Sequence, residues 1–229
     1  GLSRAGAKVV IADMLDENIL YEKAAALTAE TGNEAIGQYV NVTDEESVSK
    51  MIRNVIERFG TIDVCINSMG INLKRPALEF PMDDWDKMFN VNVKGTMICC
   101  KHVGSIMKEN KKGSIINLSS VRGIRGYTGG NSAYCGTKGA VELITKTLAI
   151  ELAPFSVRVN AIGPSLVITQ GTIHIQKDLE LAEKYKVLIP LGRLAQVEDM
   201  VGPVLFLASD ASGFVTGQTI FVDGGVTAS

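Results

Sequence analysis

Short β-branched apolar runs alternate along the chain with longer stretches in which apolar residues recur every three to four positions. Residues 8–13 (KVVIAD) open the series, following Gly6 and ending in an acid. A helical pattern then runs through Ala24, Ala25 and Leu27 to Gly32, and residues 35–40 form the next strand. Thr43 and Glu46 have capping-box spacing, and the helix they open carries Val48, Met51, Ile52, Val55, Ile56 and Phe59 before stopping at Gly60. Residues 63–67 (DVCIN) make a strand that ends toward Gly70, and a longer loop leads to a helix from about 83 to 108. Strand 114–118, a Gly-rich loop, a helix over 131–152 and strand 157–162 follow. An irregular stretch with a helical piece near 178–187 precedes a helix near 197–208 and a last strand at Thr219–Val222.

Strands separated by helical segments are β-α-β units, so the predicted fold is α/β, a doubly wound parallel sheet with helices on both faces. No repeat, linker or low-complexity tract divides the chain, and residues 1–229 read as one domain. The helix over 131–152 carries two apolar stripes. Val141, Ile144, Leu148 and Leu152 form one, and Leu143 and Ile150 lie roughly opposite. The first predicts packing on the sheet and the second packing on another subunit. In such sheets ligands sit beyond the carboxyl ends of the strands, which directs attention to the residues after Asp13, Val40, Asn67, Leu118 and Ile162.

Composition narrows the function classes. Hydrophobic residues are 46% and charged residues 21%, ordinary for a globular chain. The net charge of -2 argues against a nucleic-acid or membrane-surface partner held by bulk positive charge. No uninterrupted apolar run approaches the ~18 residues of a membrane span. Cys65, Cys99, Cys100 and Cys135 form no C-x-x-C pair and only two histidines occur, so no metal site is expected. All four cysteines lie in apolar segments. They read as free thiols in a reducing compartment, which predicts a cytoplasmic location.

The chemistry concentrates on Tyr134 and Lys138, a Y-x-x-x-K pair. At i and i+4 the side chains share a helix face. A phenol with a pKa of ~10 is a poor base at neutral pH, and a nearby ammonium favours its phenolate. Alone, a core tyrosine and a surface lysine would explain the pair. It stands, however, in an ordered set. Asn67 and Gly70 end one strand, Asn92 lies in F-N-V-N-V-K-G, and G-S-I-I-N-L-S-S ends in Ser119 and Ser120. A-Y-C-G-T-K-G-A, R-V-N-A-I-G-P and V-T-G-Q-T-I-F-V-D-G-G follow in order.

This set resembles the short-chain dehydrogenase/reductase family over essentially the whole chain, and S-V-R-G and N-S-x-G-I-N look like its gluconate dehydrogenase members. The resemblance implies a Rossmann-type fold and a homotetramer. Tyr134 would be the acid/base. Lys138 would hold the nicotinamide ribose and lower the Tyr134 pKa. Ser120 would hydrogen-bond the substrate oxygen, and Asn92 would organise a water relaying protons to Lys138. The substrate would be a small secondary alcohol or ketone, and residues 168–186 would close over the bound cofactor and substrate.

Asp13, ending the second family strand, would accept from the adenosine ribose hydroxyls and repel a 2′-phosphate, which favours NAD over NADP. Asn41 and Val42 match the family's Asp-Val pair beside adenine, the Asn41 amide oxygen accepting from the adenine amine. Asn67 and Gly70 would border the cofactor, with Ser68 and Met69 replacing the usual Asn-Ala between them. Pro164, Val167 and Thr169 fit the nicotinamide loop, where Ser165 replaces a glycine and predicts strain if that position needs a positive φ. The family opens with a strand and a T-G-x-x-x-G-x-G turn that cradles pyrophosphate. No segment here matches them. Residues 1–7 (GLSRAGA) resemble the end of the first family helix, so roughly twenty residues are expected to precede them, their strand lying between 8–13 and 63–67. For the substrate, Arg122, Arg125 and Asn72, with Lys74 and Arg75, leave the carboxyl ends of strands and suit a carboxylate or polyhydroxylated chain. The sequence thus predicts an NAD-dependent alcohol/ketone oxidoreductase acting on a sugar acid or polyol. A 3-oxoacyl-carrier-protein reductase and a non-catalytic dinucleotide-binding protein are the alternatives.

Overall fold

The computed structural model describes residues 1–127 and 129–228. A 3-10 turn at Ser3–Ala5 closes on Gly6 at φ 95 and leads into β1 (Val9–Asp13). Then come α1 (Glu17–Thr31), β2 (Ala35–Tyr39), α2 (Glu45–Phe59), β3 (Val64–Asn67) and α3 (Met82–Phe89). A π turn (Asn90–Lys94) joins α3 to α4 (Gly95–Asn110), followed by β4 (Gly113–Leu118), α5 (Ser132–Leu152) and β5 (Val157–Pro164). α6 (Ile173–Lys177), α7 (Leu179–Lys186), α8 (Val201–Ala208) and β6 (Thr219–Val222) complete the order.

Every strand pairing is parallel. β1 pairs with β2, and β3, β4, β5 and β6 pair in sequence order as a second sheet. β1 and β3, between which the family resemblance places a further strand, do not pair with each other. Alternate residues of β4 face opposite helical layers. Ile115 packs in a core with Val48 and Ile52 of α2, Cys99, Val103 and Met107 of α4, and Leu148 of α5. Its neighbour Ile116 packs with Ile162 and with Leu207 of α8. The sheet is therefore wound on both faces, as the alternation of elements predicts.

Local signals set the element ends, not always the expected ones. α2 is capped by Asp44, whose carboxylate accepts from Glu46 N at 3.0 Å. The Thr43 hydroxyl donates instead to Asn41 Oδ1 at 2.7 Å, so the Thr43–Glu46 capping box does not form. The helix expected over 83–108 is interrupted by the π turn, an insertion that re-aims side chains and recurs at functional sites. On α5, Val141 and Leu148 are buried, whereas Leu143 and Ile150 are 66% and 77% exposed. The second stripe is thus left exposed by the described residues. Among the described residues no helix is long and apolar enough to cross a membrane.

Candidate active site

The carboxyl ends of β4 and β5 and the first turns of α5 bring Ser120, Tyr134 and Lys138 together. Ser120 follows β4 and caps the 3-10 turn Val121–Gly123, its hydroxyl accepting from Arg122 N at 3.2 Å. The same hydroxyl donates to the Pro164 carbonyl at the end of β5, at 3.4 Å, and lies near enough to the Tyr134 phenol to favour its ionised form. Lys138, one turn along α5 from Tyr134, is 3% exposed. Its Nζ donates to the Leu118 carbonyl at 2.6 Å and lies 5.8 Å from the Tyr134 ring centroid.

The electrostatics differ from expectation. Burial pushes the Tyr134 phenol above its usual range, while the Ser120 hydroxyl and the Arg122 guanidinium draw it back. Lys138 Nζ, 5.8 Å from the Tyr134 ring centroid, is turned to the Leu118 carbonyl. Burial pulls Lys138 itself down to about 8, with Glu142 acting the other way.

The π turn aims Asn92 inward. Its Oδ1 accepts from Ile71 N at 2.8 Å, and its Nδ2 donates to Ile71 O at 2.9 Å and to Thr137 Oγ1 at 3.1 Å. The carboxamide is thus engaged with the loop after β3 and with α5, and any water bound by Asn92 would have to use what remains. A Cβ on Gly70 would lie 3.6 Å from both Asn92 Oδ1 and Lys138 Nζ. Gly70 thus lies in contact range of both Asn92 and Lys138.

Asn67 does not face that space. It is buried, donating to Asn117 Oδ1 at 2.9 Å and to Cys100 Sγ at 3.2 Å, and Asn117 in turn donates to Thr145 at 3.0 Å. These bonds tie β3 to β4 and to α4 and α5. Only the Asn67 main chain can border a dinucleotide. Asn41 is corrected likewise: its amide oxygen already accepts from Thr43 N at 3.0 Å and from the Thr43 hydroxyl. That leaves the amide NH2, a donor, for adenine. Val42 packs close to Gly95 at the start of α4. Asp13 is exposed at the end of β1, one carboxylate oxygen accepting from Leu15 N at 3.2 Å.

Past β5, Ser165 has no positive φ, so the strain expected from replacing a glycine is absent. Val167 bridges to Ala195, and its carbonyl accepts from Thr172 Oγ1 at 2.6 Å. Thr169 N donates to the same hydroxyl at 2.8 Å. α6 and α7 stand over this turn on a small core of Ile168, Ile175, Ala182, Ile189 and Leu194.

The basic residues separate into engaged and available. Arg125 is exposed and its guanidinium donates to the Val226 carbonyl. Arg75 pairs with Asp84 at 3.1 Å. Asn72 donates to Asn131 Oδ1 at 3.3 Å. Arg122 stacks on the Tyr127 ring, 3.4 Å from its centroid. It is half-buried and near enough to Tyr134 and to Tyr185 of α7 to act on both electrostatically. Tyr127, Tyr185 and Thr137 escaped sequence reasoning because their roles depend on contacts far along the chain.

A family profile described as Enoyl-(Acyl carrier protein) reductase matches residues 1–227. The 3-oxoacyl-(acyl-carrier-protein) reductase FabG of Thermotoga maritima is 37% identical over 227 residues, covering 98% of this chain and 89% of that protein. The chain belongs to the short-chain dehydrogenase/reductase family. A crystal structure of a gluconate 5-dehydrogenase from Burkholderia cenocepacia J2315, in complex with NADP and tartrate, is similar with a TM-score of 0.94 at 32% identity. It covers 100% of this chain and 88% of that one. An NAD+-bound xylitol dehydrogenase is similar with a TM-score of 0.90 at 31% identity, covering 98% and 91%. The short-chain dehydrogenase/reductase fold here is thus that of dinucleotide-binding oxidoreductases.

Proposed function

We propose that this chain interconverts a secondary alcohol and a ketone, with Tyr134, Lys138 and Ser120 as the working groups and Asn92 holding the loop beside them. The observation that carries this reading is the Ser120 hydroxyl placed near enough to the half-buried Tyr134 phenol to favour its ionised form, with Lys138 Nζ 5.8 Å from the Tyr134 ring centroid. A bound nicotinamide dinucleotide supplies the hydride acceptor or donor. In the oxidative direction the carbinol proton passes to Tyr134 as phenolate; in reduction Tyr134 returns it to the carbonyl oxygen. Ser120 donates a neutral hydrogen bond to that oxygen. Lys138 would contact the nicotinamide ribose beside Gly70, with Asp13, Asn41, Val42, Pro164, Val167 and Thr169 bordering the dinucleotide. Asp13 supports NAD as the preferred form.

For the substrate we infer a sugar acid or polyol. Arg122 forms no ion pair with a carboxylate among the described residues, and its planar guanidinium suits a substrate carboxylate. The NADP- and tartrate-bound gluconate 5-dehydrogenase and the xylitol dehydrogenase support this class and leave NAD to be argued from Asp13. The Thermotoga relative supports reduction of a 3-oxoacyl thioester as the second reading. Initial rates with NAD and NADP on gluconate, xylitol and 2,3-butanediol, and with NADH and NADPH on an acetoacetyl thioester, separate the two. Turnover confined to the thioester with NADPH would overturn the first reading. The exposed Leu143 and Ile150 support pairing of α5 with its copy in a homotetramer, and a monomer by light scattering at micromolar concentration would refute that.

A further inference from the structure

Glu142 lies one turn beyond Lys138 on α5, so Tyr134, Lys138 and Glu142 follow one another at i, i+4 and i+8 along one helix face. It is a carboxylate in the interior, 5% exposed. Its Oε2 accepts from Thr219 Oγ1 of β6 at 2.5 Å, and its Oε1 has no hydrogen-bond partner among the described residues. The turn after β4 closes over the same face. A Cβ on Gly123 would meet Glu142 Cγ and the Lys138 carbonyl oxygen, each at 3.0 Å, and Ser119 Oγ at 2.9 Å. Only a glycine can approach this closely, and the approach excludes water from the face.

Residues of opposite charge therefore stand one helical turn apart on α5 in a water-poor site, each with one hydrogen bond from or to a neutral group. A buried ion is tolerated when an opposite charge compensates it. The remaining groups against Lys138 are the Tyr134 phenol on its own helix, uncharged Asn92 across the π turn, the Leu118 carbonyl of β4 and Gly70 after β3. None of these is an anion while Tyr134 holds its proton.

We propose that Glu142 is a positioning residue for Lys138: anchored to β6 by Thr219, it is the buried counter-charge that keeps the lysine an ammonium where the cofactor ribose is to be held. The catalytic consequence rests on the role of Lys138 proposed above; the electrostatic coupling does not. Burial already draws Lys138 down to about 8, and Glu142 is the charge that opposes it. No feature of the Y-x-x-x-K motif points to Glu142, since its partners Thr219 and Gly123 come from other parts of the chain.

The test titrates Lys138 directly, by the NMR shift of its ε-carbon in lysine-labelled full-length protein, with Lys138→Met to assign the signal. In Glu142→Gln, which keeps the shape and an acceptor for Thr219, the Lys138 titration is expected to fall by about one pH unit. NAD affinity, by fluorescence titration, is expected to drop several-fold at pH 8 and to stay within about twofold at pH 6. An unmoved Lys138 titration, or an equal loss of affinity at every pH, would overturn the proposal. If Glu142→Gln is unfolded by circular dichroism, Thr219→Val is measured instead. It frees the carboxylate from β6 and is expected to shift the same titration, and no shift counts against the proposal. A shifted titration in a protein that turns over no alcohol or ketone would sink the proposed function and leave the coupling standing.

Discussion

Asn92 holds the peptide of Ile71 by both of its polar groups, accepting its N–H at 2.8 Å and donating to its carbonyl at 2.9 Å. This reproduces, with a side chain, the paired bonds of a strand neighbour, and it fixes the loop after β3 against the π turn. Gly70, beside Ile71, is thereby set next to Lys138. Asn92→Ala should leave two main-chain groups without partners, at about 1–3 kcal/mol for each that water does not reach. Turnover should fall more than stability, at least tenfold, because the loop bordering Lys138 loosens. Melting temperature and kcat/KM measured together check this; a normal kcat/KM in the folded variant contradicts it. Asn92→Asp keeps the acceptor but loses the donor, and is expected to fall between.

Tyr134→Phe keeps the ring and removes one hydroxyl, so the fold should survive. Removal of a positioned acid/base typically lowers turnover ~10²-fold or more. The Ser120 hydroxyl retains the Pro164 carbonyl as acceptor, so no buried donor is stranded by the change. Stopped assays with any substrate that the unmodified enzyme accepts decide the matter, and near-normal turnover would remove Tyr134 from the mechanism.

The order of strands and helices and the shared helix face of Tyr134 and Lys138 were legible because local spacing carries them, in periods of two and of 3.6 and a pair at i and i+4, whereas Ser120 was singled out by the family resemblance alone. What the spacing could not carry was side-chain direction. Asn67, at a strand end, had two faces open to it, and the choice was made by Asn117 in the adjacent register of β4 and by Cys100 of α4. Arg122 and Arg125 stand three residues apart in one loop, yet one stacks on Tyr127 and the other binds the carbonyl of Val226, far along the chain. The π turn was invisible for the same reason, since F-N-V-N-V-K-G fits an ordinary helix until Asn92 finds Ile71 and Thr137.

Cofactor choice should follow Asp13. Its carboxylate is exposed at the end of β1, where a ribose hydroxyl can donate to it and a 2′-phosphate meets like charge. A hydrogen bond to a charged group contributes about 1.5–3 kcal/mol. Asp13→Ser should therefore shift the ratio of kcat/KM for NAD over NADP by about 10–100-fold toward NADP. If the unmodified protein already prefers NADP, the assignment of Asp13 fails before the variant is made.

Lys138 should make the protein's stability depend on pH in an unusual direction. Its folded-state value of about 8 lies below the ordinary 10.5, so between those values the unfolded chain binds a proton that the folded chain does not. Stability attributable to this group therefore rises as pH increases from about 8 to 10.5, and below 8 the full penalty of burying the ammonium is present. That penalty is about 3 kcal/mol. Lys138→Met removes it but leaves the Leu118 carbonyl without its donor, which takes back about 1–3 kcal/mol. At pH 7 the variant should thus be as stable as the unmodified protein or more so, although inactive. The difference in unfolding free energy between the two should move against the variant by a few kcal/mol as pH is raised to 10. Urea titrations at pH 7, 8, 9 and 10 measure it. A difference independent of pH would mean that Lys138 is not buried as a cation, and the ammonium assigned to the ribose site would go with it.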